Sequence, residues 1–468
     1  MISTSLGITP AGETIAAVAT PFGESGIGIV RISGSSAEAI VRRLFKPKKE
    51  LAFFVSHHFH YGEIINPRTA TPVDEVLLVL MRAPNTYTRE DTAEIQCHGG
   101  FLVLQEILEL VLKEGARLAQ PGEFTRRAYL NGRIDLTQAE AVIDLIRART
   151  AASLQIANQQ LRGFLSSEMG GLRGKLIEYL ALIEAHIDFP EEEIDPISRD
   201  GMRKDLEGLI RRMDEWVDSY EEGRIFREGV SCAIIGKTNV GKSSLLNVLL
   251  KEERAIVTPV PGTTRDVIED FLNIEGISVR LMDTAGLRKT SDTVELEGVK
   301  KTKQRVADAD FVVLTLDGSR AIDADDLEIF REVQGKKKVL AVNKKDLPAR
   351  ISVEDLKQRF PDDPIVPISA LRNEGIDRLK IAIHDSLIRR GIRVSSEHTI
   401  IGNIRHKNGL INGRESLSNV LRGLEENGPL EIIAFELRSA LEALEEIVGK
   451  TTTEEVLDRI FEQFCIGK

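Results

Sequence analysis

Lys242 and Ser243 close an eight-residue run, Gly236-Lys237-Thr238-Asn239-Val240-Gly241-Lys242-Ser243, whose residue types suit a phosphate-binding loop. Glycines let backbone N–H groups face phosphate oxygens, the Lys242 ammonium supplies a point charge, and the Ser243 hydroxyl is a magnesium ligand. Downstream, Asp283-Thr284-Ala285-Gly286 offers a carboxylate to the magnesium shell and a glycine that lets the backbone approach a terminal phosphate. Asn343-Lys344-Lys345-Asp346 follows an apolar run at 339–342. Asp346 can accept from the two N–H donors on guanine's edge, which adenine lacks, so the penalty for an unpaired group selects GTP. Ile368-Ser369-Ala370 closes the base pocket by a backbone contact. The candidate GTP set is Asn239, Val240, Gly241, Lys242, Ser243 and Ser244, then Thr258, Thr263 and Thr264, then Asp283, Thr284, Ala285 and Gly286, then Asn343, Lys344, Asp346, Ser369 and Ala370.

Each motif alone is short enough to be a surface turn; their order along one chain is the informative part. Apolar runs at 230–235, 279–282, 311–316, 339–342 and 365–368 sit where strands must feed these loops, with helix-like segments between them. That alternation predicts a doubly wound, mostly parallel sheet carrying its ligand loops at the strands' carboxyl ends.

The whole chain has 468 residues, which suggests two to four domains. Its 62 basic and 73 acidic residues give a net charge of −11, which argues against non-specific nucleic-acid binding by the surface as a whole. Three widely spaced cysteines, Cys97, Cys232 and Cys465, have no zinc spacing and fit a reduced, cytoplasmic setting. No signal-peptide pattern opens the chain and no apolar run approaches the roughly 18 residues of a membrane span, so no membrane association is expected.

The first part, to about residue 130, mixes strand-like and helix-like patterns. Residues 13–20 and 26–32 read as a strand pair, 75–81 as a further strand and 101–112 as a helix. Long helices follow: Leu165, Met169, Leu172, Leu176, Leu180, Ile183 and Ile187 form one apolar stripe. A second stripe, Ile432, Phe435, Leu441, Leu444, Ile447 and Val448, lies beyond the GTP motifs, and Thr452-Thr453-Glu454-Glu455 resembles a capping box for a last helix with Leu457, Ile460, Phe461 and Phe464. The expectation is a multidomain α/β chain. It has a mixed α/β domain at 1–130, a helical domain in two parts at 131–223 and 392–468, and a P-loop GTPase domain inserted at 224–391. His57, His58 and His60 follow apolar residues without companion ligands and do not read as a metal site.

Several blocks outside the GTP motifs resemble the tRNA-modification GTPases of the MnmE (TrmE) family. They are Ala19-Thr20-Pro21, the run from Gly26 to Gly34, Tyr87-Thr88-Arg89-Glu90-Asp91, His98-Gly99-Gly100, Pro121-Gly122-Glu123-Phe124-Thr125, Gln138-Ala139-Glu140-Ala141 and the closing Cys465-Ile466-Gly467-Lys468. The resemblance implies a homodimer joined through the N-terminal domains, each binding a tetrahydrofolate derivative (5-formyl or methylene form) as one-carbon source. It also implies a flavoprotein partner, MnmG (GidA), carrying FAD and NADH. Together they would place an aminomethyl or carboxymethylaminomethyl group on carbon 5 of the wobble uridine of tRNA. By motif match the folate set is Arg31, Glu94, Arg133 and Lys468. A carboxylate and several cations suit the pteridine edge and glutamate tail. Cys465 reads either as a modification residue carried over from the family or as a small apolar residue ending a helix beside Phe461 and Phe464.

Leu287 follows Gly286 where small signalling GTPases carry a water-orienting glutamine. Leucine cannot orient water, so another group must neutralise developing charge, a role contributing about 10³ to 10⁵ in rate when an arginine finger fills it. The family's answer is a potassium ion, for which the resemblance implies Asn239, Thr258, Val260 and Thr263 as oxygen ligands. Ser243 and Thr264 would hold magnesium. Glu295 would orient water through a second water, with Lys242, Asp283 and Cys465 completing the catalytic set. The other readings are a ribosome-assembly or translation-associated GTPase and a non-catalytic GTP switch; an RNA-binding module with a basic face marks the first. Arg389, Arg390 and Arg393, and Arg405-His406-Lys407, are candidate tRNA patches.

Overall fold

The computed structural model describes residues 12–21, 23–189, 198–253, 270–282, 306–388 and 400–468. Among them, those up to Ile143 together with Val448–Lys468 form one compact unit, and those from Asp144 to Ile447 form another.

The first unit is built on a seven-stranded sheet: β1 (Ile15–Val18), β2 (Gly28–Ser33), β3 (Phe45–Pro47), β4 (Phe59–Ile65), β5 (Pro72–Met81), β6 (Thr92–Cys97) and β7 (Arg117–Leu118). They lie in the order β3-β4-β5-β6-β2-β1-β7, antiparallel except where β7 joins β1. Alternation sets the faces. Val30 and Ile32 of β2 are buried and Arg31 between them is not, because successive side chains point to opposite sides. The buried face packs on helices Ala37–Leu44 and Phe101–Lys113 through Ile40, Leu44, Leu104 and Ile107. A second small core joins Leu136, Ala139 and Ile143 of helix Leu136–Arg147 to Leu457, Phe461 and Phe464. The sequence reading puts 448–468 with the helical domain; here the segment belongs to the compact unit of the N-terminal sheet, and its apolar side chains pack on helix Leu136–Arg147, which the sequence reading also gives to the helical domain.

The last helix, Glu454–Phe461, has Thr453 as its N-cap, but no side-chain cap bond forms there.

In the second unit a six-stranded sheet comprises β8 (Val230–Ile235), β9 (Asp270–Ile274), β10 (Ile277–Leu281), β11 (Phe311–Asp317), β12 (Lys338–Asn343) and β13 (Ile365–Pro367). The order is β13-β12-β11-β8-β10-β9, parallel but for the β9–β10 hairpin. β8, β11 and β12 are buried at every position, as strands covered on both faces must be.

Helices Ala151–Leu161, Phe164–Asp188, Arg199–Glu228 and Ile404–Glu425 make the helical part of this unit. Leu165, Met169, Leu172, Leu176 and Ile183 of the expected first stripe are buried. Helix Arg199–Glu228 meets Ile404–Glu425, where Arg414 pairs with Asp214 at 2.8 Å and Gly413 gives room to Met213. Helix Leu430–Val448 buries Leu441, Leu444 and Ile447 of the expected second stripe, but in its first turns Ile433, Ala434 and Leu437 are buried while Ile432 and Phe435 are exposed.

Candidate functional site

The phosphate loop leaves β8 and enters helix Lys242–Glu253 through three positive backbone angles, φ 150° at Gly236, 61° at Asn239 and 101° at Gly241. A Cβ on Gly236 would stand 2.2 Å from the Thr315 carbonyl oxygen, and one on Gly241 would stand 2.1 Å from Asn343 Nδ2. Glycine is required at both by contact as well as by conformation. Lys242 Nζ donates to the carbonyls of Gly236, at 2.8 Å, and of Lys237, which holds the ammonium across the loop. Ser243 follows Lys242 in the first turn of the helix, an N-terminus suited to receive an anion.

The side chain of Lys237 takes no part in that arrangement. Its ammonium pairs with Asp323, the N-cap of helix Ala324–Glu332, and lies 3.5 Å from Asp326. The sequence signal was available, in an Asp323-Ala324-Asp325-Asp326 cap, but nothing local connects it with Lys237.

Asn343 ends β12 and is buried. Its Nδ2 donates to the Val240 carbonyl at 2.8 Å and its Oδ1 accepts from the Ala370 N–H at 2.9 Å. One amide thus fixes the phosphate loop against both base-binding segments. Lys344, at φ 65°, donates to Asp317 at 2.6 Å. Burial of Asp317 favours its neutral form, but hydrogen bonds from Lys344 and Ser319 outweigh that and hold its carboxyl below the usual range. Asp346 accepts the Ser369 hydroxyl at 2.6 Å, the first cause of its own lowered value. Asp317 is the contributor that the motifs alone did not give. Of the other sequence-derived residues, Thr258, Val260, Thr263, Thr264, Asp283, Thr284, Ala285, Gly286, Leu287 and Glu295 lie outside the described residues.

In the N-terminal unit Arg31 of β2 stands opposite Glu94 of β6 in the antiparallel register, with Nε 2.8 Å from Oε1. Arg31 Nη1 also donates to the Gly467 carbonyl at 3.2 Å. The closing tetrapeptide runs alongside: Ile466 bridges to Pro121, the Gly122 N–H donates to the Cys465 carbonyl at 3.4 Å, and the Phe124 N–H donates to the Lys468 carbonyl at 3.2 Å. At Gly467, with φ 98°, a Cβ would be 2.3 Å from the Val18 carbonyl oxygen. Burial, then the charge of Arg31, pushes the Lys468 ammonium below the usual lysine range, with Glu94 opposing.

Arg133 joins this group indirectly. Its guanidinium lies 4.7 Å from the Tyr87 ring centroid and its Nη1 donates to the Tyr87 carbonyl at 3.2 Å. Arg31 approaches the same ring at 5.8 Å. Cys465 lies beyond the end of helix Glu454–Phe461 and is exposed, while Phe461 and Phe464 are buried. It therefore does not end a helix.

Of the two candidate basic patches, residues 389–393 lie outside the described residues. Arg405 donates to the carbonyls of Glu446 and Ile447, His406 is buried, and Lys407 lies 4.4 Å from the Tyr220 ring centroid. Those side chains are engaged within the fold. Among the described residues no group of three or more His, Cys, Asp or Glu side chains gathers as a metal site, and no helix is long and apolar enough to cross a membrane.

Residues 14–133 match the family described as the GTP-binding protein TrmE N-terminus, and residues 136–465 match the MnmE helical domain. A tRNA modification GTPase MnmE from Geobacter sulfurreducens is 48% identical over 456 residues, covering 97% of this chain and 99% of the relative. One from Thermoanaerobacter pseudethanolicus is 46% identical over 458 residues, with the same coverage of each.

Proposed function

The chain belongs to the MnmE family of tRNA modification GTPases, and from that premise we propose that its GTP cycle drives modification at carbon 5 of the wobble uridine, with a tetrahydrofolate as one-carbon donor. It is a GTP hydrolase of tRNA modification. The substituent would be an aminomethyl or carboxymethylaminomethyl group. The observation that carries the folate part is the meeting of Arg31, Glu94 and Lys468 beside the interior strands β2 and β6 of the N-terminal sheet, residues far apart in sequence. A carboxylate beside cations suits a ligand with an amide edge and an anionic tail. Arg133 adds a cation through Tyr87.

In the GTPase part, Asp346, Ser369 and Asn343 read guanine while Lys242 and the loop N–H groups hold phosphates. Ser243, with Thr264 and Asp283, would hold Mg²⁺; the all-oxygen set suits a hard cation. Asn239, with Thr258, Val260 and Thr263, would hold K⁺, again by oxygen alone. Bound there, the cation would supply positive charge to the hydrolytic transition state. Glu295 would orient water. A cation site built partly from a separate loop would be completed when two GTPase domains meet, linking hydrolysis to a homodimer. The flavin chemistry would belong to an MnmG (GidA) partner that uses FAD and NADH, and Cys465 is a candidate for the modification step because its thiol is exposed.

The test is nucleoside analysis of tRNA from cells lacking this chain, complemented with the wild type, Asp346→Asn or Glu94→Ala. Modified wobble uridine should return with the wild type alone. Full restoration by Glu94→Ala would remove the folate site from the reading.

A further inference from the structure

Arg31 and Arg133 carry like charges, yet both guanidiniums address one aromatic ring, that of Tyr87, at 5.8 and 4.7 Å from its centroid. Both distances lie within the reach of a cation over the negative face of a ring, about 6 Å. Ring and backbone are both held. The Tyr87 hydroxyl bonds to Thr125 Oγ1 at 2.9 Å, with Thr125 fully buried; the Tyr87 backbone carbonyl accepts from Arg133 Nη1; and the next residue, Thr88, bonds to Ser33 at 2.7 Å. Asn131, in the turn that carries Arg133, donates to the Thr88 carbonyl at 2.7 Å, so that turn and the Tyr87 loop hold each other.

Arg31 is already placed by Glu94 and the Gly467 carbonyl. Arg133 is exposed, and the contacts that place it are to Tyr87. A long, exposed arginine samples many rotamers, and ordering it on ligand binding costs affinity unless something orders it beforehand.

We propose that Tyr87 is a positioning residue of the folate site, its ring holding Arg133 at a set spacing from Arg31 so that the two cations meet an anionic folate together. The proposal rests on the folate reading above and adds a residue to it. Tyr87 acts through the arginines, by its quadrupole and by pre-ordering.

The test measures binding of 5-formyltetrahydrofolate and of GTP to the full-length protein by calorimetry, for the wild type, Tyr87→Leu, Tyr87→Phe, Arg133→Ala, and each Tyr87 change combined with Arg133→Ala. Tyr87→Leu should weaken folate binding about tenfold, equivalent to about 1.4 kcal/mol, and leave GTP affinity unchanged. Tyr87→Phe keeps the ring and should retain most of the affinity. Because Tyr87 acts through Arg133, the leucine and alanine changes together should cost little more than the larger of the two alone. Additive losses, wild-type affinity in Tyr87→Leu, or an equal loss in Tyr87→Phe would each overturn the role. If the leucine variant also lost GTP binding, the phenylalanine background would decide: Arg133→Ala should cost there what it costs in the wild type, and a smaller cost there overturns the proposal. A wild-type protein that does not bind the folate overturns the folate reading itself, and this proposal with it.

Discussion

Ser369 donates its hydroxyl to the Asp346 carboxylate at 2.6 Å, while its own backbone N–H bonds to the Glu374 carbonyl at 2.9 Å. The serine is fully buried and the aspartate half-buried, so a rigid group fixes the orientation of one that solvent reaches. The bond also keeps the carboxyl ionised, its value lying below the usual range. Asp346→Asn should weaken GTP binding and favour xanthosine triphosphate, because the amide presents a donor to a base carbonyl. Ser369→Ala should weaken GTP binding less, with guanine still preferred. Competition binding with GTP, ATP and xanthosine triphosphate distinguishes these outcomes, and an unchanged preference in Asp346→Asn would remove Asp346 from base recognition.

A pH dependence follows from the same pair. A depressed folded value means that the contribution of the ionised carboxylate is fully present above the unfolded value, about 3.9, and is lost as pH falls through the lower folded value. Guanine preference should therefore be flat from pH 8 to about pH 5. A titration of preference with a midpoint near neutrality would mean that another group controls base recognition.

Asn343 sits where three loops meet, and its amide satisfies the Val240 carbonyl and the Ala370 N–H. Asn343→Ala leaves both without that partner, at a cost of about 1–3 kcal/mol for each group that water does not reach. The nucleotide-free protein should melt at lower temperature, and GTP affinity should fall because the loops lose their register. Gly241→Ala should be more damaging, since the added Cβ falls 2.1 Å from Asn343 Nδ2 at a backbone angle unsuited to alanine. Calorimetric melting and nucleotide titration check both, and normal GTP binding by Gly241→Ala would contradict the geometry.

The central strands were legible because β8, β11 and β12 are covered on both faces and so read as unbroken apolar runs. β9 was missed for the opposite reason. It is an edge strand, it includes Asp270 and Asn273, and it turns into β10 through Glu275 and Gly276, both at positive φ, a short hairpin signal outside any GTP motif. Helical periodicity gave the buried face of Leu430–Val448 at Leu441, Leu444 and Ile447 but not in its first turns, since 432/435 and 433/437 both fit a helical spacing and only packing chooses between them. The approach of Gly467 to Arg31 spans 436 positions. No local pattern encodes it; the family resemblance supplied the two residues, and the sheet register supplied the partner of Arg31.

The three cysteines should separate by reactivity. Burial pushes the Cys97 thiol up to about 11 and the Cys232 thiol up to about 12, whereas Cys465 is exposed. The thiolate is the reactive species, so at pH 8 a maleimide should label Cys465 alone in the folded protein and all three after denaturation. Peptide mapping after a short pulse reads the sites. Rapid native labelling of Cys232, in the centre of the parallel sheet, would contradict the described packing.

Hydrolysis should depend on the monovalent cation. Leu287 cannot orient water, and the motifs provide no arginine finger. A potassium ion held by Asn239 and oxygens of residues 258–263 would supply the missing charge, and sodium, being smaller, would span those ligands poorly. Phosphate release should therefore be faster in potassium than in sodium, by as much as about 10³-fold if the ion does the work of a finger. Asn239→Ala should abolish the difference with little loss of GTP affinity, since Lys242 and the loop N–H groups remain. The substitution carries its own control. Asn239 lies at φ 61°, where asparagine is tolerated better than alanine, so Asn239→Gly should match Asn239→Ala if the lost oxygen is the cause and should recover the potassium effect if backbone strain is. Equal rates in sodium and potassium for the unmodified protein would refute the cation mechanism while leaving the GTPase intact.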